Sequence, residues 1–347
     1  MSNVYTYYFR DDVSLDDIKE KSALLLDVVT KKEEVNLENE IPLKVHFGEI
    51  GNTSYIKPET FEGIINYLDL KKIKSSFIET SVLYGGKRYK KELHLNTAKE
   101  HGFTKLPVVI ADGEMGGDFY EVEINKRHFK FCKLGAEFEK YPQIIVLTHF
   151  KGHMLAGFGG ALKNLAMGFA SKGGKMEQHM GIKPSIKSRK CKKCMQCIKR
   201  CAFDAITIGK KSFIDHEKCT GCGACVSVCP HKAVSIISLK SVLRFLGIGN
   251  PFREKVAEYA YAANLGRKNI YINFIMNITK GCDCEPRKMK PVTDDVGIFA
   301  STDPLALDKA CYEAVKEKGK KFRGDKIFAY SQKLNTGSLD YKLIGVE

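Results

Sequence analysis

The chain has 347 residues, 44% of them hydrophobic and 28% charged, with a formal net charge of +15. That length serves one large domain or two modest ones, and the composition excludes a disordered or fibrous chain. No window approaches the roughly 18 apolar residues of a membrane span, and the first twelve residues are acidic with no apolar h-region. A soluble, cytoplasmic protein is therefore expected.

The first 180 residues read as alternating strands and helices. Leu43–Phe47 is a short apolar strand. Pro58 opens a helix to about Leu70, with Phe61, Ile64, Ile65 and Leu68 on one face. Ser76–Thr80 reads as a strand, and Arg88–Gly102 as a helix closed by its glycine. Pro107–Ala111 is a buried-strand run. Phe119–Ile124 and His128–Cys132 flank Asn125-Lys126 as a hairpin, and Gln143–Thr148 is the strongest strand pattern in the chain. After about residue 250 the rhythm returns: a helix over Pro251–Leu265, strands over Ile270–Ile278 and Val296–Ala300, and a helix over Pro304–Lys318. This alternation predicts a layered α/β domain with a largely parallel sheet. Residues 184–238 break the rhythm. The expected organisation is an α/β domain in two parts, 1–183 and 239–347, interrupted by a small module.

That module holds eight of the twelve cysteines. It repeats internally: Cys191, Cys194, Cys197 and Cys201 map onto Cys219, Cys222, Cys225 and Cys229 at an offset of 28 residues. Each half is C-x2-C-x2-C-x3-C. Three thiolates at this spacing wrap three corners of a [4Fe–4S] cubane, and the fourth reaches the other cluster. Cys191, Cys194, Cys197 and Cys229 are thus expected to hold one cluster. Cys219, Cys222, Cys225 and Cys201 are expected to hold the second. Gly221 and Gly223 leave the backbone room to approach it. A zinc ribbon would use Cys194, Cys197, Cys219 and Cys222 and leave four cysteines at matched spacing unexplained. Two clusters with eight thiolates bring in roughly −4, leaving about +11. The module resembles the bacterial two-cluster ferredoxins over roughly 55 residues. It departs from them at Ala202, where those proteins have proline; Pro230 keeps it in the second half.

Other residues point to a ligand. His149, Lys151 and His153 follow the strongest strand, and Gly157, Gly159 and Gly160 precede a helix that carries Lys163 and Asn164. Ligands of open α/β sheets bind beyond the carboxyl ends of strands, and a glycine loop before a helix offers N–H groups to an anion. No dinucleotide or P-loop motif is present, so the expected occupant is a flavin or a small anionic ligand. Cys282 and Cys284 read either as an extra soft-metal site together with His149, His153 and His179, or as free thiols in a turn. Between Lys163 and Arg200 there are eleven Lys or Arg and one acid, Glu177. That excess suits an acidic redox protein such as a ferredoxin or flavodoxin. No stacking or helix-turn-helix signature favours nucleic acid. For Asp303, before Pro304, an N-cap is the plainer reading.

The segments His46–Asn52, Tyr84–Arg88, His149–His153, Gly157–Asn164, Cys282–Cys284 and Thr302–Pro304 together resemble the domain of unknown function family 362, from about Leu43 to Lys316. The resemblance implies this architecture with an inserted two-cluster ferredoxin module. It leaves the substrate open. The expected function is electron transfer through two [4Fe–4S] clusters to or from a ligand site in the α/β domain, as in a ferredoxin-linked, anaerobic oxidoreductase. The alternatives are a non-enzymatic electron carrier or assembly factor that docks an acidic partner, and a cluster-bearing nucleic-acid protein.

Overall fold

The computed structural model describes residues 1–83, 85–179, 184–201, 204–219, 224–235 and 251–347. Its centre is an eight-stranded sheet. In chain order the strands of the first part are β1 (Ser2–Tyr8), β2 (Glu40–Lys44), β3 (Lys74–Glu79), β4 (Val108–Ile110), the hairpin β5 (Phe119–Glu123) and β6 (Phe131–Gly135), β7 (Ile145–His149), and the small pair β8 (Lys151–His153) and β9 (Gly157–Gly159). The helices here are α1 (Leu15–Lys32), α2 (Glu62–Leu70), α3 (Lys91–Glu100), α4 (Ala161–Phe169) and α5 (Lys172–His179).

Residues 184–235 form β10 (Ser185–Ile186), α6 (Gln196–Lys199), β11 (Ile206–Thr207), β12 (Phe213–Ile214), α7 (Ala224–Ser227) and β13 (Val234–Ser235). The sequence repeat is also a structural one, because α6 and α7, and β11 and β13, begin 28 residues apart. The chain then adds α8 (Phe252–Asn264), β14 (Ile270–Ile275), β15 (Gly297–Ser301), α9 (Pro304–Glu317), α10 (Lys326–Lys333) and β16 (Tyr341–Gly345).

The strand order is β16-β1-β15-β14-β7-β2-β3-β4. Only β15 runs against its neighbours β1 and β14; the other pairings are parallel. The protein is thus a mixed α/β fold with a mostly parallel sheet. Parallel strands buried on both faces need apolar side chains on both, and β7 and β14 are buried at every position. One face packs on α1, α2 and α3 through Leu25, Ile64 and Ala98. The other packs on α4, α8 and α9 through Leu165, Ala260 and Leu307.

Several expected elements move by a few residues for visible reasons. The helix after Pro58 begins as a 3-10 turn, Pro58–Phe61. The hairpin register differs because residues 125–130 form a wider loop, with Ile124 and Asn125 both donating to the Lys130 carbonyl. The second strand therefore starts at Phe131 rather than His128. β1, α1, α10 and β16 lie in segments where no element was expected.

Chain order makes the sheet change direction beside β2: β3 and β4 extend one way, β7 and β14 the other. In open α/β sheets a ligand crevice opens at the carboxyl ends of strands at such a switch point.

Candidate functional site

A cavity of about 280 Å³ opens at that place. Lys44 and His46 enter it from the end of β2, Glu79 and Thr80 from β3, and Thr148 and His149 from β7. Lys163 and Asn164 come from α4, Lys175 and His179 from α5, and Cys282, Asp283 and Cys284 from the turn after β14. Lys151, His153, Gly159 and Gly160 line it too. Apart from Gly157, the expected ligand and thiol residues therefore meet at one place, although 133 positions separate His149 from Cys282.

Their roles divide on geometry. Both ring nitrogens of His149 face oxygen acceptors: Nδ1 is 3.0 Å from Asp283 and Nε2 is 2.9 Å from the Met276 carbonyl. Lys151 Nζ reaches Asp283 at 2.8 Å. His149, Lys151 and Asp283 thus hold the 282–284 turn against β7. Burial would raise the Asp283 carboxyl, but His149 and Lys151 outweigh it and hold it well below the usual range. Asn164 is also engaged: Oδ1 accepts from Lys44 at 2.9 Å, and Nδ2 donates to Thr148 at 3.0 Å. Lys44 pairs with Glu79 at 3.0 Å, both fully buried. Burial would raise Glu79, but Lys44, His46 and Lys175 outweigh it and bring it to about 2.

Lys163 is different. Among the described residues no carboxylate pairs with it; its ammonium lies 3.8 Å from Cys282 Sγ. His153 Nδ1 accepts from the Ala156 and Leu155 N–H groups at 3.0 and 3.3 Å. Its Nε2 is therefore left to donate to Cys282, with which the ring is hydrogen-bonded. The Cys284 thiol also bonds to Cys282. That bond, with Lys163 and His153, overrides burial and lowers the Cys282 thiol. Its loss as donor, with burial, raises Cys284. Burial, then Lys163, lowers His153. The cavity thus offers a thiolate, an ammonium without a carboxylate partner and a neutral imidazole.

The glycine loop corrects an expectation. The N–H groups expected to be free for an anion at the start of α4 are taken: Ala161 and Leu162 donate to Asp308 at 2.7 and 2.9 Å. A side chain at Gly160 would collide with that carboxylate, and one at Gly157 (φ +98°) with the Arg323 carbonyl. These two glycines permit close packing, whereas a Cβ at Gly159 would meet Lys163 at ordinary contact distance, 3.6 Å. An anion here is therefore met by side chains rather than by a helix terminus. Asp303 is an N-cap, accepting from Leu305 and Ala306 at 2.9 Å.

In the cysteine module, Cys191, Cys194, Cys197 and Cys229 line one small cavity, bringing Cys229 back to the first half. Lys193 and Met195 adopt φ of +54° and +61° in the intervening loop, a conformation that turns successive N–H groups toward one centre. Cys229 Sγ accepts from the Ala233 N–H at 3.2 Å. Burial would raise this thiol, but the Val234, Ala233, His231 and Lys232 N–H groups outweigh it and lower it. Cys201, Cys219 and Cys225 share a core with Cys197; Cys222 lies outside the described residues. Among the described residues no three His, Cys, Asp or Glu side chains converge as a single metal ion requires. A cubane spreads its thiolates wider than one ion does. The donor set, four cysteines with an N–H donor on Cys229, has the chemistry of a cluster site, while the cavity between them holds about 10 Å³. The same criterion weighs against a mononuclear metal at Cys282 and Cys284.

The basic run separates by burial. Lys172 and Lys175 are buried, and Lys163 lines the cavity. Lys187, Arg189, Lys190, Lys192, Lys193 and Lys199 are exposed around the first cysteine loop. Arg200, beside Cys201, lies 5.4 Å over the ring of Tyr89, next to Arg88 of the cavity wall.

Residues missed in the sequence include Lys44, Glu79 and Lys175. Their signal was a charge at the end of a buried strand or within a short glycine-rich helix. No helix among the described residues is long and apolar enough to cross a membrane.

Comparison with known proteins gives a fold-level picture. A structure of a Thermotoga maritima protein aligns with a TM-score of 0.46 at 11% identity, over 89% of this chain and 61% of that one. The lactate racemase apoprotein from Thermoanaerobacterium thermosaccharolyticum aligns with a TM-score of 0.46 at 14% identity, over 92% of this chain and 58% of that one. The chain thus spans about three fifths of each. No curated protein matches. The family model described as domain of unknown function (DUF362) matches residues 41–313, which take in the sheet apart from β1 and β16, the cysteine module and every cavity residue discussed above, and the chain belongs to that family.

Proposed function

We propose that this protein is an iron–sulfur oxidoreductase whose residues 184–238 form a ferredoxin-like module serving the cavity of the α/β domain. The observation that carries the reading is the return of Cys229 to the cavity of Cys191, Cys194 and Cys197. Crossed ligation by a doubled C-x2-C-x2-C-x3-C pattern would need that convergence. Cys219, Cys222, Cys225 and Cys201 would hold the second cluster. When bound, the two [4Fe–4S] groups supply one-electron transfer.

This chain's own residues supply the rest. Lys163 attracts a small anion, and His153 Nε2, hydrogen-bonded to Cys282, holds that sulfur beside it. Glu79 pairs with Lys44 and Asp283 with Lys151. Lys163 instead has the Cys282 sulfur beside it, and Lys175 the oxygens of Thr80, Ser81 and Ala170, so the cationic charge of the cavity lies at these two lysines. At about 280 Å³ the cavity falls just short of the roughly 300–1,000 Å³ usual for drug-sized ligands. That favours a small anionic substrate over a flavin. The exposed lysines and arginine around the first cysteine loop suit an acidic one-electron donor, such as a ferredoxin or flavodoxin.

The test is anaerobic purification followed by iron and sulfide analysis and cofactor extraction. Two [4Fe–4S] clusters and no flavin are expected. One cluster per chain, or zinc in place of iron, would overturn the assignment. A non-enzymatic carrier that docks an acidic partner is the second reading, favoured by the exposed basic rim. It predicts that small anions leave the cavity empty.

A further inference from the structure

Cys282 and Cys284 stand apart from both cysteine sets. Their turn is held rigidly: Asp283 between them is gripped by His149 and Lys151. The Cys282 N–H donates to Glu285 at 2.9 Å, and the Glu285 N–H to the Cys282 carbonyl at 2.9 Å. Both thiols face the cavity and are hydrogen-bonded to each other. One sulfur has an ammonium and an imidazole beside it; the other has the role of thiol donor. Two cysteines two positions apart, with facing sulfurs and one of them activated, are what thiol–disulfide exchange needs. A metal would need a third ligand, and none converges among the described residues.

We propose that Cys282 and Cys284 form a reversible dithiol–disulfide couple that stores two electrons at the substrate cavity. In oxidation the Cys282 thiolate and Cys284 thiol lose two electrons and one proton as the S–S bond forms. The acceptor is a small anionic substrate with a two-electron-reducible group. It takes up both electrons, that proton and a second one from water. The couple returns to the dithiol when two electrons and one proton are supplied, by an external dithiol or by two one-electron donations. This inference rests on the cavity reading above for its substrate, and on the cysteine module only for the source of the one-electron donations.

The experiment uses the full chain equilibrated anaerobically in oxidised and reduced dithiothreitol mixtures, then quenched with an alkylating agent and digested with trypsin. Residues 281–287 form one tryptic peptide, with Cys282 and Cys284 its only cysteines. Its conversion from the doubly alkylated form to an unalkylated one, two mass units lighter than the free dithiol, should follow a single two-electron Nernst curve. The conversion should vanish in Cys284→Ser. In Lys163→Met the pH midpoint of Cys282 alkylation should shift upward, with recovery in Lys163→Arg. A peptide that stays doubly alkylated in fully oxidised dithiothreitol would overturn the couple. So would a disulfide joining either cysteine to the 191–229 set. Iron and sulfide measured on the same samples report the cluster assignment separately, so absence of iron with an intact Nernst curve removes the module as electron source and leaves the couple standing.

Discussion

Lys163 carries the anion-binding role, with His153 positioning Cys282 beside it, because the polar atoms of the neighbours are already occupied. His149, Lys151 and Asn164 spend their polar atoms on Asp283, Met276, Lys44 and Thr148. Lys163→Ala and His153→Ala should therefore abolish the thermal stabilisation that small carboxylates or phosphates give the wild-type protein, with iron content unchanged. Thermal melts across a panel of such anions check this. Wild-type-like stabilisation in both variants would remove the cavity from consideration. His153 is kept neutral by burial and by Lys163, so it adds no second cation to the cavity and keeps its Nε2 proton on Cys282.

At the scale of the element, α4 is the part that presents Lys163 to the cavity, and Asp308 fixes its start. The carboxylate accepts from Ala161, Leu162 and Asn273. Burial nevertheless dominates those bonds and raises it from 3.8 to about 6. The folded state therefore binds this proton more tightly than the unfolded chain. The contribution to stability is full below about pH 4 and falls as pH rises through 6. Converted at 1.36 kcal/mol per unit, the change is on the order of 3 kcal/mol. Asp308→Asn removes the titration. The stability difference between wild type and variant, from urea unfolding at pH 4 and pH 7, should shrink by that order. A pH-independent difference would show that Asp308 keeps an ordinary carboxyl pKa. Glu79 works in the opposite sense, since its folded value of about 2 lies below the ordinary 4.5; its contribution is present above about pH 4.5 and is lost on acidification.

For the whole molecule, the sheet ties the two ends of the chain together. β15 lies between β1 and β14, and β14 lies between β15 and β7. A chain ending at residue 179 would leave β1 without its neighbours and would expose one edge of β7 and the apolar faces of α4. It should be insoluble or molten, as judged by near-ultraviolet dichroism and a melting curve. Cooperative folding would instead mark 1–179 as an independent domain. The exposed basic rim gives a second test at this scale. Changing Lys187, Arg189, Lys190, Lys192 and Lys193 to Ser should slow reduction by an acidic donor by roughly tenfold or more at low salt and flatten its salt dependence. Stopped-flow reduction at several ionic strengths measures it; an unchanged rate would return the rim to a solvated face.

The sequence by itself determined the parts whose signal is local. Period-two and period-3.6 patterns marked β7, β14, α8 and α9, and cysteine spacing marked a repeat that the backbone reproduces with the same 28-residue offset. It also brought His149, Lys151, His153, Lys163 and Asn164 under suspicion, because strand ends and the turns after them are where ligands meet an open sheet. Tertiary structure decided what depends on distant partners. Thr6 faces Phe299 across β1 and β15, and α1 reads as a polar, charged stretch until the sheet supplies the surface that Leu25, Leu26 and Val29 cover. Lys44 and Glu79 became recognisable only when two neighbouring strands set them side by side, because a buried ion requires its counter-ion and sequence does not show which one it will meet. The start of α4 was legible as an anion site, but the anion is the protein's own Asp308, 148 residues beyond Gly160. Which thiols, cations and histidines share one cavity is set by the order of strands in the sheet, and that order is a property of long-range packing.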